Sequence, residues 1–191
     1  MTSNQSHKAI VFGSISIDKI VNKYGSFSNV LGGSAAYALL SNKRNSCELV
    51  GVVGTDFQKE HFDLLSDHSI TTSSLTKMNG KTFCWGGEYK DDFSSRETLY
   101  VDPGVSESYL PDLSENSKNC PYLLLGNTAP HLQTELLNQM QNNPFILLDT
   151  FKLYIDIAKE ELKALVKRSD LFCINFNEAR AITGMDGSSL I

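Results

Sequence analysis

Tyr122-Leu-Leu-Leu125, Phe145-Ile-Leu-Leu148 and Leu171-Phe-Cys-Ile174 are three short apolar runs, separated by two stretches that read as helices, 130–141 and 155–167. Strand–helix–strand alternation of this kind predicts a parallel sheet with helices on both faces. The same grammar extends towards the N-terminus. Glu48-Leu-Val-Gly-Val-Val53 reads as a strand closed by Gly54-Thr55-Asp56, and 57–68 as an amphipathic helix with Phe57, His61, Leu64, Leu65 and His68 at helical spacing. Lys8-Ala-Ile-Val-Phe-Gly13 reads as the first strand. Gly32-Gly33-Ser34 opens a helix to about Arg44, whose Ala35, Ala36 and Ala38 allow close packing on a sheet. Towards the C-terminus, 177–183 begins a helix that Gly184 ends.

One region breaks the alternation. Thr82-Phe-Cys-Trp-Gly-Gly-Glu-Tyr-Lys90 and Glu97-Thr-Leu-Tyr-Val101 flank a polar turn, a hairpin pattern. With the β-rich stretch 17–24, the segment 81–101 is expected to form a small separate β-sheet, a lid over an α/β domain spanning 1–191.

The chain has 191 residues, 41% of them hydrophobic, enough for one domain with a core. A net charge of -5 and scattered basic residues exclude a nucleic-acid footprint. Cys47, Cys84, Cys120 and Cys173 show no CxxC or paired-His spacing, so they are expected to be reduced and to bind no zinc. The N-terminal residues lack a signal-peptide core, and no apolar run reaches membrane-span length. A cytoplasmic protein without membrane or nucleic-acid partners is expected.

In a parallel α/β sheet, ligands gather at the carboxyl ends of the strands. That rule singles out Gly13-Ser14, Asp18, Gly32-Gly33-Ser34, Gly126-Asn127, Asp149-Thr150, and Asn175 with Glu178. No Gly-Lys-Ser/Thr P-loop is present, and no GxGxxG follows the first strand, which disfavours a dinucleotide-binding oxidoreductase. His7, His61, His68 and His131 form no partner pattern and read as structural or surface residues.

Taken in order, Gly13-Ser-Ile-Ser-Ile-Asp18, Leu31-Gly-Gly-Ser-Ala-Ala-Tyr-Ala38, Gly51-Val-Val-Gly-Thr-Asp56 and Asn175-Phe-Asn-Glu178 resemble the motifs of the PfkB (ribokinase-like) carbohydrate and nucleoside kinases. The segment from Lys81 through Arg96 also resembles the lid of a bacterial subgroup of uncharacterised sugar kinases. The resemblance implies a ribokinase-like fold, ATP and Mg²⁺ as cofactors, and a sugar or nucleoside acceptor. It implies that Asp18 binds acceptor hydroxyls and that backbone groups of Gly32 and Gly33 approach the sugar. Ser34 reads equally as helix cap or ligand contact, and Asn127 as a strand-end acceptor contact. Asn175 and Glu178 would organise Mg²⁺ and its waters, with no direct metal ligand assigned; their local alternative is an N-cap and first-turn acid. Trp85, Tyr89 and Arg96 would close over the substrate, Arg96 on a phosphate; a plain hairpin or a homodimer contact through the lid is the alternative.

Three departures qualify the resemblance. The family's catalytic base lies in a C-terminal Gly-Ala-Gly-Asp motif, which these residues do not contain. No catalytic residue is therefore assigned; the expectation is a domain truncated at its C-terminus, with an open sheet edge, inactive alone. A non-catalytic binding or regulatory remnant is the alternative. Tyr37 stands where ribokinase-like members often carry asparagine, which weakens a ribose assignment, and the Asp56 turn lacks its last glycine near Lys59.

Overall fold

β1 (Ala9–Phe12) alternates its side chains between two cores: Ile10 and Phe12 point to one face of the sheet and Val11 to the other. β1 sits between β4 (Cys47–Gly54) and β9 (Tyr122–Leu125), both parallel to it, and all eight residues of β4 are buried. The computed structural model describes residues 9–41, 47–66, 70–72 and 74–185; His7 and His68 fall outside these. Among them the main sheet runs β11 (Leu171–Cys173), β10 (Phe145–Asp149), β9, β1, β4, β5 (Ile70–Thr71), with every pairing parallel. β6 (Leu75–Met78) continues the β4 edge beyond β5, pairing with Gly51–Gly54. Neither β5 nor β6 is legible in the sequence, since each is too short to carry a period.

Helices cover both faces, as expected. α1 (Ser34–Ser41) and α2 (Lys59–Ser66) cover the face of Val11, Leu49 and Val53; α3 (Pro130–Asn138) and α5 (Lys159–Val166) cover the face of Ile10, Val50 and Leu123. In α2, His61 and Leu65 are buried whereas Leu64 is half exposed. His61 is structural: its Nε2 lies 3.2 Å from the carbonyl of Asn29, and its ring packs on Phe57. The expected helix over 155–167 is two helices, α4 (Lys152–Ile157) and α5. They are broken at Ala158, whose φ of -139° leaves the helical region, although its N–H still reaches the Tyr154 carbonyl. α6 (Phe176–Thr183) ends at Gly184 in the left-handed conformation, as expected.

The residues outside the alternation form a second sheet in the order β3 (Gly25–Gly32), β2 (Ser16–Asn22), β7 (Cys84–Tyr89), β8 (Arg96–Asp102). β2 is parallel to β7, and the outer pairs are antiparallel. The stretch between the β-rich segment 17–24 and the diglycine carries no strand pattern in the sequence. In fact 25–32 is an edge strand, mostly exposed and polar, that forms because β2 pairs with it.

The Gly51–Asp56 turn ties the two sheets together. The carboxylate of Asp56 accepts from the Thr82 N–H at 2.8 Å and its hydroxyl at 2.6 Å, and the Gly54 N–H donates to the same hydroxyl at 2.9 Å. Thr82 is the root of β7, so this turn sets where the small sheet begins. A Cβ at Gly54 would lie 2.5 Å from the Lys81 carbonyl carbon and the Thr82 nitrogen, both rigid backbone. Gly54→Ala is therefore expected to lower the unfolding free energy by about 1–3 kcal/mol, read as a reduced urea midpoint; an unchanged midpoint would show that the Thr82 segment yields freely.

Candidate functional site

The carboxyl ends of β1, β9, β10 and β11 and one face of the small sheet enclose a cleft of about 980 Å³. Its lining brings together Asp18, Gly33, Ser34, Trp85, Arg96, Asn127, Asn175 and Glu178, residues from six separate stretches of the chain. Gly32 alone of the expected set lies behind the wall. A Cβ there would overlap the Asp18 carboxylate and come within 2.6 Å of the Ser16 hydroxyl. Its missing side chain thus makes room for Asp18.

Asp18 lies on β2 just before a register shift, and its carboxylate accepts the Trp85 N–H at 3.3 Å. Burial pushes its carboxyl above the ordinary value of 3.8, while the Ser16 hydroxyl and the Trp85 N–H pull the other way. Ser16 went unnoticed in the sequence, although strand periodicity places residues two apart on one face.

Ser34 is held on all sides at the floor. Its N–H donates to the Ser14 hydroxyl at 3.1 Å, and its own hydroxyl donates to the Asn127 carbonyl at 3.4 Å. Cβ atoms at Gly13 and Gly126 would each lie 2.7 Å from that hydroxyl, and one at Gly33, where φ is +98°, would strike the Ser14 carbonyl. Ser34 thus joins the loops after β1 and β9 to the start of α1. Beside it, Asn127 Oδ1 is buried without a hydrogen-bond partner, an acceptor available to a ligand.

At the other end of the cleft, Asn175 and Glu178 form a complete capping box. Asn175 Oδ1 accepts the Glu178 N–H at 3.0 Å, and Glu178 Oε2 accepts the Asn175 N–H at 2.9 Å. This satisfies the local alternative for the pair and leaves one carboxylate oxygen of Glu178 outside the cap. Asp149, at the end of β10, faces it. Burial pushes the Asp149 carboxyl up; the Thr150 N–H opposes this, the negative charge of Glu178 adds to it, and the Asn127 N–H opposes it again. The strand-end rule pointed to Asp149, whereas Phe151 and Tyr154, which also line the cleft, gave no signal in the sequence.

The small sheet presents Trp85, Tyr89 and Arg96 to the cleft. The Trp85 indole N–H donates to the Thr98 hydroxyl at 3.2 Å, and its ring meets Tyr89 edge-on at 6.4 Å. The Arg96 guanidinium carbon lies 5.4 Å from the Trp85 ring centre and 6.0 Å from that of Phe151, across the cleft. Tyr37, the residue in place of the family's asparagine, also lines the opening.

A mostly parallel sheet with a four-stranded sheet over its carboxyl edge, and a cleft running from an aspartate to a capped Asn-x-x-Glu helix, defines a ribokinase-like α/β protein. The chain belongs to the pfkB family of carbohydrate kinases, whose sequence profile matches residues 6–190. No curated protein matches it significantly. Among solved structures it is similar in fold to the nucleoside kinase of Methanocaldococcus jannaschii (TM-score 0.72, 16% identity, covering 96% of this chain and 67% of that one). It is similar also to the Burkholderia thailandensis nucleoside kinase in complex with inosine (0.73, 14%, 94% and 65%). The Cryptococcus neoformans ribokinase in complex with ADP is a third such structure (0.74, 18%, 93% and 59%). The chain thus spans 59–67% of the length of these proteins, and at such identities the likeness is one of fold.

The raised Asp18 carboxyl has a consequence for stability. A carboxyl raised in the folded state favours folding below 3.8 and loses that contribution as pH climbs through the folded value, so at pH 7 the buried charge opposes folding. Asp18→Asn is expected to melt at or above the wild-type temperature at pH 7, and to lose this advantage near pH 3. A clear drop in Tm at pH 7 would mean that the Ser16 and Trp85 hydrogen bonds outweigh the burial cost.

Proposed function

We propose that these residues form the acceptor-binding side of an ATP-dependent kinase that phosphorylates a hydroxyl of a sugar or nucleoside. The observation that carries this reading is Asp18: a half-buried carboxylate at the cleft wall, fixed by Trp85 and Ser16 and given room by Gly32. Such a group binds two vicinal hydroxyls well, because they replace the water that burial has removed. Asn127 Oδ1 offers a second acceptor at the floor. The inosine and ADP held by the Burkholderia and Cryptococcus proteins support a ribose-like acceptor and a nucleotide donor.

The opposite end of the cleft suits Mg²⁺ and the nucleotide phosphates. Asp149 and Glu178 repel each other there, and hard oxygen donors crowded in this way fit a hydrated divalent cation. When bound, ATP with Mg²⁺ supplies the phosphoryl group and neutralises its charge. The chain's own part is to orient the acceptor through Asp18 and to hold the Asp149–Glu178 pair in place through the cap at Asn175.

Residues 1–191 contain no Gly-Ala-Gly-Asp motif, so on this reading they bind an acceptor without turning it over. Purified chain is expected to bind sugars or nucleosides in a thermal-shift panel and to release no ADP from Mg-ATP. Asp18→Ala is expected to weaken the best ligand at least about tenfold, the loss of one charge-assisted hydrogen bond. Turnover by the chain alone would overturn the first expectation, and unchanged affinity the second.

The four free thiols suit a reducing compartment, and we place the protein in the cytoplasm. The small sheet is also read as a homodimer contact. Its edge strands β3 and β8 have no further partner among the described residues, and Leu99 and Tyr100 are exposed on β8. Sedimentation equilibrium is expected to show a dimer that Tyr100→Lys dissociates; a monomer at high protein concentration rules this contact out.

A further inference from the structure

Gln133 is the one polar residue buried in α3, with 1% of its surface exposed, and no motif of the sequence gives it a role. Its Nε2 donates to the carbonyls of Gly126 at 2.8 Å, Asp149 at 3.2 Å and Leu125 at 3.5 Å. The ladder between β9 and β10 ends at Leu125 and Leu148, so Gly126 and Asp149 are the first residues past it on each strand. The amide of Gln133 thus bridges the two strands where their own pairing stops. Without it two carbonyl oxygens, like partial charges, would face each other across a buried gap. They could find other donors only by turning apart.

Packing alone does not call for a glutamine there. Its Oε1 is buried without a hydrogen-bond partner, a costly feature that an apolar side chain of the same length would avoid. What the amide supplies is position. Gly126 leads into Asn127, whose Oδ1 is an unpartnered acceptor at the cleft floor and whose backbone N–H is directed at the Asp149 carboxylate. Asp149 itself lines the cleft opposite Glu178, whereas Gln133 does not reach the lining. One buried amide therefore holds the backbone beneath a side chain from each half of the cleft. We propose that Gln133 is a positioning residue, which sets the separation between the acceptor contact at Asn127 and the cation contact at Asp149 without touching either ligand. This rests on the acceptor and cation roles proposed for those two residues.

Gln133→Met keeps the length of the side chain and removes both donors. Leu136→Val trims the buried face of the same helix and leaves the amide in place. The purified chain is compared without nucleotide by three measurements: hydrogen exchange of the Asn127 amide by NMR, calorimetric titration with inosine and with ribose, and Mn²⁺ binding by electron spin resonance. In Gln133→Met the Asn127 amide is expected to exchange at least about tenfold faster. The hydroxyl ligand and Mn²⁺ are each expected to bind about tenfold more weakly, the worth of one hydrogen bond lost to misplacement. Leu136→Val is expected to lower the melting temperature while leaving both affinities and the Asn127 exchange rate within about twofold of wild type. That contrast separates positioning from support of the fold. Gln133→Asn, whose amide is one methylene too short to span both strand ends, gives the same test should Gln133→Met fail to fold. The proposal is overturned if the wild type binds these probes and the Gln133 variants match it, or if Leu136→Val weakens binding as much, since the effect would then belong to α3 as a whole. A wild type that binds neither inosine, ribose nor Mn²⁺ removes the roles of Asn127 and Asp149 and this proposal with them.

Discussion

Three loops meet at Ser34 more closely than side chains would permit, and the cleft depends on that approach. Gly13 follows β1, Gly126 follows β9, and Gly33 leads into α1; a Cβ on any of them would collide with Ser34 or with the Ser14 carbonyl. With those side chains absent, the Ser14 hydroxyl, the Ser34 hydroxyl and the Asn127 carbonyl form a short hydrogen-bonded chain across the sheet's carboxyl edge. Packing that dense leaves few alternative arrangements. It also fixes Asn127, whose buried Oδ1 and whose backbone N–H, directed at Asp149, both depend on where this loop lies.

The small sheet is attached to the main sheet where Asp56, just after β4, grips Thr82 at the β7 root, and within the small sheet the Ile17 N–H donates to the Phe83 carbonyl, joining the β2 and β7 roots. Asp18 is therefore a residue of the small sheet that faces the floor, and its position relative to Ser34 and Asn127 follows from how the two sheets are joined. Across the cleft, Arg96 makes a second and weaker connection through Phe151, one of aromatic contact alone.

Charge follows the same division. The cleft wall near the small sheet carries one carboxylate, Asp18, and one guanidinium, Arg96, while the α6 end concentrates Asp149 and Glu178. Burial raises the carboxyls of both Asp18 and Asp149 above their ordinary value. The capping box that holds Glu178 serves helix and site together, since the geometry that caps α6 also aims its first-turn acid.

Much of the main domain was legible in the amino-acid sequence. Apolar runs of four to six residues between helical stretches determine a buried parallel sheet, because only strands covered on both faces tolerate apolar side chains on both. Strand ends then indicate where Asn127, Asp149 and Asn175 must gather, whereas Asp18 reaches the cleft from within β2 of the small sheet. Other features were settled by tertiary structure alone. β3, β5 and β6 exist because a neighbouring strand pairs with them, and such pairing leaves no period in a short or exposed segment. The break at Ala158 has no local breaker residue to announce it. Gly32 looked like a ligand contact and proves to be the space that the Asp18 carboxylate fills, while Arg96 finds Phe151 across a cleft that no sequence spacing encodes. Local pattern determines which face of an element is apolar; which side chains share a wall is decided by how two sheets dock, and that depends on contacts between residues far apart in the chain.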